Sequence, residues 1–561
     1  MRSALLFCAG LALLLVSACG QDAPNSAFVA APPTGFVHDN GFEGAFHFPE
    51  TFGSGVAVLD ADGDGVRDLY LVQGGRLPLS AAADHHEERE GEPGNVLLLG
   101  AGDGSFRPGA AGAAADRGYG MGAIVGDLNG DALADLVVTN IGPDRVFLGT
   151  GASNALFAKA DDAALDSPHA ANWSSAAGLA DLNRDGHLDL VLVAYSAWTP
   201  ELPHACPGPA GDDYCDVKEY PGAADRVLIG DGTGGFSDVT AAWGLDARAE
   251  RGLGLALADF DADGDVDLYI ANDTDPNAYW QNEDGTRFTD RTTLSGAATN
   301  MDGRVEAGMG VAIADVDGDA RPDIAVTNFS AEPHALYINR GGGRFRESSR
   351  AAGIAAASLP KLSFGAVFGD LDHNGHEDLF TASGHVLKNA AARTSTWAWK
   401  QPDLLLMGTG PLAFEVREPG TVFSTPRVGR GAALGDLDGD GRLDLAVTHS
   451  NAALEIGLNR LELAGGFLGL ELRDPSAASN RLAIGAQVTA ELNSGRRLVR
   501  WLRSGTSYLS QDDLRIHFGL PEGDPLGSVT VLWPDGGSST HTDLAPGAWH
   551  TLTRPVSSFG D

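Results

Sequence analysis

Thiols are scarce in this chain, and so is positive charge. Of 561 residues only four are cysteine, and 38 Lys and Arg stand against 76 Asp and Glu, a formal net charge of −38. Such a deficit excludes nucleic acid as a partner, because no basic surface could dominate the field that a phosphate backbone would meet. The common catalytic signatures are missing as well: there is no G-x-S-x-G elbow, no P-loop and no H-E-x-x-H. Carboxylate pairs occur throughout, so they single out no glycosidase site. Glycine, by contrast, is plentiful at 75 residues, which suits many tight turns between short strands. At 43% hydrophobic the chain is too apolar to be disordered, and it exceeds the size at which one core keeps growing. Several domains or a repeat architecture are expected.

The first twenty residues carry one basic residue, an apolar run from Ala4 to Val16, and small residues before Cys19, the pattern of an export signal. Val16-Ser17-Ala18-Cys19 resembles a bacterial lipobox, which implies acylation of Cys19 and membrane attachment through a lipid anchor alone; ordinary secretion with nearby cleavage is the rival reading. Gly20 after the cysteine points, by the same resemblance, to the outer membrane or cell surface. With Cys8 inside the signal, Cys206 and Cys215 remain, nine positions apart across a Pro/Gly loop. In an oxidising compartment the pair reads as a disulfide closing an insertion, with a metal pair as the alternative.

One acidic pattern recurs seven times, at starts between 54 and 78 residues apart. The cores are DADGDGVRD, DLNGDALAD, DLNRDGHLD, DFDADGDVD, DVDGDARPD, DLDHNGHED and DLDGDGRLD. A Gly-spaced apolar stretch, such as FGSGVAVL or YGMGAIVG, usually precedes each core, and a β-rich run, such as DLYLV or DLVLVAY, follows it. Two further runs around an Asp-Gly or Gly-Gly turn complete a four-stranded meander. The expected fold is all-β: a seven-bladed β-propeller of four-stranded blades over residues 34–460, then an antiparallel β domain over 461–556. Residues 1–19 are the expected signal and lipobox, and 20–33 a linker.

Within each core, acidic or amide side chains stand at positions 1, 3, 5 and 9 with Gly or Ala at 6. Calcium takes about six to eight hard oxygen ligands, which alternate side chains on a tightly turned loop can supply, with the position-7 carbonyl as a further donor; magnesium, stricter in geometry, is the weaker candidate. The predicted ligand sets are Asp60, Asp62, Asp64 and Asp68; Asp127, Asn129, Asp131 and Asp135; Asp181, Asn183, Asp185 and Asp189; and Asp259, Asp261, Asp263 and Asp267. The remaining three are Asp315, Asp317, Asp319 and Asp323; Asp370, Asp372, Asn374 and Asp378; and Asp436, Asp438, Asp440 and Asp444. Up to seven Ca2+ ions are therefore expected, structural rather than catalytic, with weaker binding where Asn replaces Asp. Ala132 and Ala320 stand where the turn favours glycine, and a positive φ there costs energy.

These loops and their flanking strands resemble FG-GAP or VCBS repeats, the units of the integrin alpha-subunit propeller. Three stretches together are similar to the cartilage acidic protein family of secreted and bacterial proteins: TGFVHDNGFEGAFHFPETFGSGVAVLDADGDG, the cysteine insertion followed by YPGAADRVLIGDGTGGFSDVT, and LSFGAVFGDLDHNGHEDLFTASGHV. Further on, IGA, SGTSYLSQ, HFGL and WPDG resemble the ASPIC/UnbV domain. The resemblance implies adhesion and extracellular interaction without naming a ligand; a binding or scaffold protein with an extracellular protein or polysaccharide as partner is expected, and with the catalytic signatures missing no enzymatic role. The competing expectation is a glycan-acting enzyme with its site in the insertions at 76–94 and 197–222. Asp84-His85-His86-Glu87-Glu88 could hold a transition metal but reads as a solvated insertion, and His385 and His449 read as satisfied strand histidines. Arg496, Arg497, Arg500, Arg503 and Arg515 read as solvated strand faces rather than a docking surface.

Overall fold

The computed structural model describes residues 26–79, 93–160, 165 and 173–555. The expected signal, Cys19 and the Asp84–Glu88 insertion lie outside the described residues. Along the repeat region run seven four-stranded sheets. Their first strands are Val56–Leu59, Tyr119–Gly126, Ser174–Ala180, Gly252–Ala258, Val311–Ala314, Ser363–Gly369 and Gly429–Gly435. Each of these strands lies beside the first strand of the next sheet, and the seventh lies beside the first, so the sheets stand around one axis. This is the architecture of a β-propeller. The second strands, such as Asp68–Leu71 and Asp189–Ala194, are buried at every residue. Both faces of a sheet pack on neighbours, which is why these strands read as continuous apolar runs rather than an alternation.

Ring closure corrects one boundary. Within the stretch read as a linker, Phe28–Ala30 pairs antiparallel with Glu455–Asn459, Phe28 opposite Asn459, and supplies the outer strand of the seventh sheet. The buried Phe28 ring meets Phe423 at 5.3 Å. A three-residue strand carries too short a period to be read from sequence. Cys206 and Cys215 are disulfide-bonded, their Cα atoms 4.9 Å apart, in an insertion whose strands Cys206–Gly208 and Gly211–Asp213 form a hairpin. Sulfur pairing, and not metal binding, is therefore their role.

After the repeats, Gly465–Arg473 pairs with Ile516–Pro521 and Trp549–Thr553, while Gln487–Leu492 lies at the centre of a second sheet with Arg497–Trp501, Leu526–Leu532 and Ser538–His541. Leu468, Val488, Phe518 and Val529 are buried together in this domain. The domain is not purely antiparallel as expected, because Trp549–Thr553 runs parallel to Gly465–Arg473. The chain reaches that strand by crossing from the other sheet, and a crossover is what permits parallel pairing.

Between Arg497–Trp501 and Ile516–Pro521 the chain leaves this domain and enters the propeller axis. Gln511 N donates to Val56 O and Val58 N to Gln511 O, both at 2.9 Å, while Ala123 N donates to Leu509 O at 3.2 Å and Val311 N to Ser507 O at 3.1 Å. Tyr508 is fully buried, its ring 4.8 Å from that of Phe364. The arginines expected to be solvated mostly serve this docking. Arg500 pairs with Glu377, Arg496 donates to Gly375 O, Arg503 donates to Ile313 O at 3.4 Å, and Arg515 holds Asp513, which Arg67 reaches at 3.2 Å. Arg497 alone of the five is exposed. Their strand faces meet the acidic end of the ring instead of water.

Candidate metal centres

Each acidic loop joins the first strand of its sheet to the second, and the position-9 aspartate opens that second strand in all seven sheets. Its carboxylate is an internal staple. One oxygen accepts the position-2 amide of its own loop, as in Ala61 N to Asp68 at 2.8 Å, and the other accepts an amide from the third strand, as in Gly100 N to Asp68 at 2.9 Å. The same pair of bonds recurs at Asp135, Asp189, Asp267, Asp323, Asp378 and Asp444. The position-1 aspartate accepts the position-6 amide in every loop, from Gly65 N to Asp60 at 3.1 Å through to Gly441 N to Asp436 at 3.1 Å. Position 5 accepts the position-7 amide, for example Val66 N to Asp64 at 2.8 Å. Asp and Asn suit such loops because their short side chains bond backbone two residues on.

This bonding turns the side chains inward. In four loops positions 1, 3 and 9 come together: Asp60, Asp62 and Asp68; Asp315, Asp317 and Asp323; Asp370, Asp372 and Asp378; and Asp436, Asp438 and Asp444. In the fourth loop the group is Asp259, Asp261 and Asp263, positions 1, 3 and 5. Each trio offers carboxylate oxygens within 4.8 Å of one another, a donor set suited to a hard cation. Outside these groups stand Asp64, Asp319, Asn374 and Asp440 at position 5, and Asp267 at position 9. Asn374 instead donates to Gly408 O at 2.9 Å, and Tyr279 donates to Asp267 at 2.8 Å. In the second and third loops two carboxylates and an amide occupy positions 1, 9 and 3, and Asn129 and Asn183 donate to Asp131 and Asp185 at 3.0 and 2.9 Å.

Burial, reinforced by the like charge of the neighbouring carboxylates, pushes the Asp68, Asp135 and Asp189 carboxyls up to about 7 and those of Asp267 and Asp323 to about 8. Asp378 and Asp444 are raised well above the carboxylate range for the same reason. Ionising these carboxyls is thus disfavoured where water solvates them poorly, a penalty that a bound cation would relieve.

The loops also meet side chains that sequence reasoning missed. Trp549 donates its indole N–H to Asp436 at 2.9 Å, His517 bonds Gly441 O at 3.0 Å, and Arg460 reaches Asp438 at 2.8 Å. No local motif joins these residues to the loops, so only the fold reveals the contacts. Of the strand histidines, His449 bonds Glu455 at 3.1 Å, whereas His385 accepts Leu387 N through Nδ1 and has no partner for Nε2 among the described residues.

An ASPIC and UnbV family model matches residues 476–558, and an FG-GAP-like repeat model matches 127–192, 259–326 and 315–381. Cartilage acidic protein 1 of Mus musculus and of Homo sapiens are each 28% identical over 305 residues, covering 53% of this chain and 44% and 43% of theirs. The chain therefore spans less than half the length of these curated relatives. Solved structures with similar folds include an Agrocybe aegerita lectin that recognises non-reducing terminal N-acetylglucosamine (16% identity, TM-score 0.41, 70% of this chain and 88% of that one). Another is the rhamnogalacturonan lyase YesW (14% identity, TM-score 0.35, 78% of this chain and 76% of that one). This chain is accordingly built of FG-GAP-like repeats followed by an ASPIC and UnbV domain, and over about half its length it is homologous to cartilage acidic protein 1.

Proposed function

We propose that this chain is a calcium-stabilised binding protein of the extracytoplasmic space, anchored by lipid at Cys19, that acts as an adhesion or scaffold module for an extracellular protein or polysaccharide. One observation carries the metal assignment: in five separate loops three carboxylates of the repeated pattern converge within 4.8 Å. Calcium is favoured over magnesium because the loops offer many rigidly placed carboxylates, whereas magnesium keeps several waters and demands near-octahedral geometry. The ion is structural. The position-1 and position-9 carboxylates already bind the loop backbone, and a ligand that binds only the folded state adds its binding energy to stability.

Export is supported by the Cys206–Cys215 disulfide, since such bonds persist in oxidising compartments. No helix among the described residues is long and apolar enough to cross a membrane. Binding rather than turnover is supported by the lack of nucleophile, P-loop and zinc motifs in the sequence.

Scanning calorimetry with and without chelator, paired with elemental analysis, tests the metal. Several calcium ions per chain and a melting temperature lowered by ten degrees or more on chelation are expected, by about 1 kcal/mol for every 2 to 4 degrees. An unchanged melt after verified calcium removal would sink the assignment. For the anchor, Cys19→Ala is expected to release the protein from the membrane fraction; continued membrane retention contradicts it. Co-purification from native envelope in calcium tests the partner class, and turnover of a polysaccharide by the purified chain would replace scaffolding with catalysis.

A further inference from the structure

The second strands carry the chain from the acidic loops to the opposite end of the ring, and a cavity of about 300 Å³ opens there. Phe48, Phe52, Phe329, Phe364 and Trp397 line it. The disulfide insertion contributes Tyr214 and Cys215, so the wall is assembled from parts far apart in sequence. Three carboxylates line it: Asp216, which is exposed, Asp273, directly after the Asp267–Asn272 strand, and Glu332, between the Asp323–Val326 and Ala335–Asn339 strands.

Asp273 is 8% exposed and accepts the Tyr195 hydroxyl at 2.8 Å, while Glu332 accepts Ala307 N at 2.8 Å. Among the described residues neither forms an ion pair. Arg251, whose charge acts on Asp273, directs its donors to the Asp275 carboxylate and to the carbonyls of Tyr220 and Asp273. Arg430, over the Phe364 ring at 4.2 Å, directs its own to the carbonyls of Thr51, Gly384 and Gly429. Lys218 and Arg393 also line the cavity, but both are exposed. Next to Asp273, Thr274 holds φ at 62°, a region that a β-branched residue rarely enters, and its buried hydroxyl has no partner among the described residues. Such outliers concentrate at ligand sites.

We propose that this cavity binds a small organic ammonium ion, its apolar body against the aromatic rings and its charged nitrogen between Asp273 and Glu332. A cation there gains from ring faces and from carboxylates in one partly desolvated place, and it can use the Thr274 hydroxyl as an acceptor. A neutral sugar would bring no charge to the two acids. Burial pushes the Asp273 carboxyl up to about 7 against the Tyr195 hydrogen bond and the charge of Arg251, with Glu332 adding like charge, which a bound ammonium would offset. Nothing in this inference depends on whether the acidic loops hold calcium.

The test is calorimetric titration of the full chain at pH 8, in physiological salt and excess calcium, with benzylamine, benzyl alcohol and N-acetylglucosamine as probes. Benzylamine is expected to bind once per chain and about tenfold or more tighter than benzyl alcohol. Asp273→Asn and Glu332→Gln, each checked for an unchanged melt, are expected to weaken benzylamine by about tenfold and leave benzyl alcohol alone. Because Asn still accepts the Tyr195 hydroxyl, folding is preserved in the first variant, and the second keeps the Ala307 bond. Equal affinity for amine and alcohol, preference for the sugar, undiminished binding by both variants, or no binding of benzylamine would each overturn the proposal.

Discussion

Ala132 and Ala320 hold φ at 69° and 66°, in the left-handed region that their loop position demands and that glycine fills in the other five loops. That strain was legible from the repeat, because alignment of the acidic cores put a turn residue at position 6. A second left-handed residue at position 4 was not, since Arg184, Ala262 and His373 stand there as well as glycine. Replacing Ala132 or Ala320 with Gly removes a left-handed cost of about 1 to 2 kcal/mol against an unfolded-state entropy gain of about 0.5 to 1 kcal/mol. Each variant is therefore expected to be more stable by about 0.5 to 1 kcal/mol in urea melts. Gly130, at position 4, predicts the reverse: a Cβ there would lie 2.5 Å from Ala478 O, so Gly130→Ala should loosen the contact between domains. Glu50 is a residue that no motif marked. It is buried under the disulfide insertion, accepts the Tyr214 hydroxyl at 3.0 Å, and has its carboxyl pushed up to about 7 by burial. Because the folded chain holds this proton more tightly than the unfolded one, stability falls as pH rises from the unfolded value through about 7. Glu50→Gln keeps the acceptor and removes the charge, so at pH 8 it should be more stable than the parent by about 1 to 3 kcal/mol and lose that part of the pH slope. A parallel slope in both proteins would place the titration elsewhere.

At the scale of the element, the strands were legible and the axial segment was not. Gly-spaced first strands imply crowding at the axis, yet what crowds two of them is a segment of the other domain. A Cβ on Gly55 would stand 1.7 Å from Leu509 O, and one on Gly122 would stand 2.8 Å from it. The SGTSYLSQ stretch reads in sequence as part of the antiparallel β domain, but its hydroxyls serve the ring: Ser510 Oγ accepts Val56 N at 3.3 Å and Ser507 Oγ accepts Ala366 N at 3.0 Å. Sequence periodicity reports one element's own face and cannot name a partner some 450 residues away. The Gly55→Ala substitution collides with backbone on both sides, so no side chain can give way. A loss of about 3 kcal/mol or more is expected, together with faster hydrogen exchange across residues 505–511. If exchange there matched the parent, the segment would not depend on that close approach.

For the whole molecule, the acidic loops and the C-terminal domain form a single system, although sequence separated them into independent units. The domain touches five consecutive loops of the ring. Arg67 joins the first loop to Asp513, Arg481 N bonds Asp127 at 3.2 Å, and Ser479 meets His187 at 3.2 Å. Arg500 reaches Glu377 in the sixth loop, and Trp549 reaches Asp436 in the seventh. Among the described residues no hydrogen bond or ion pair links the domain to the loops beginning at Asp259 and Asp315. Their neighbours are Arg184, Arg321 and Arg340 of the propeller itself. A metal ion leaves a site only after its ligands part, and a docked domain restrains that parting, so cover should govern release more than charge does. Terbium loaded in place of calcium and chased with chelator should leave in two phases, the faster from the two uncovered loops, even though each holds three converging carboxylates. Asp259→Asn combined with Asp315→Asn should then abolish the fast phase and spare the slow one. Release in a single phase, or a fast phase that survives the double substitution, would mean that the domain rests on the ring without holding its ions.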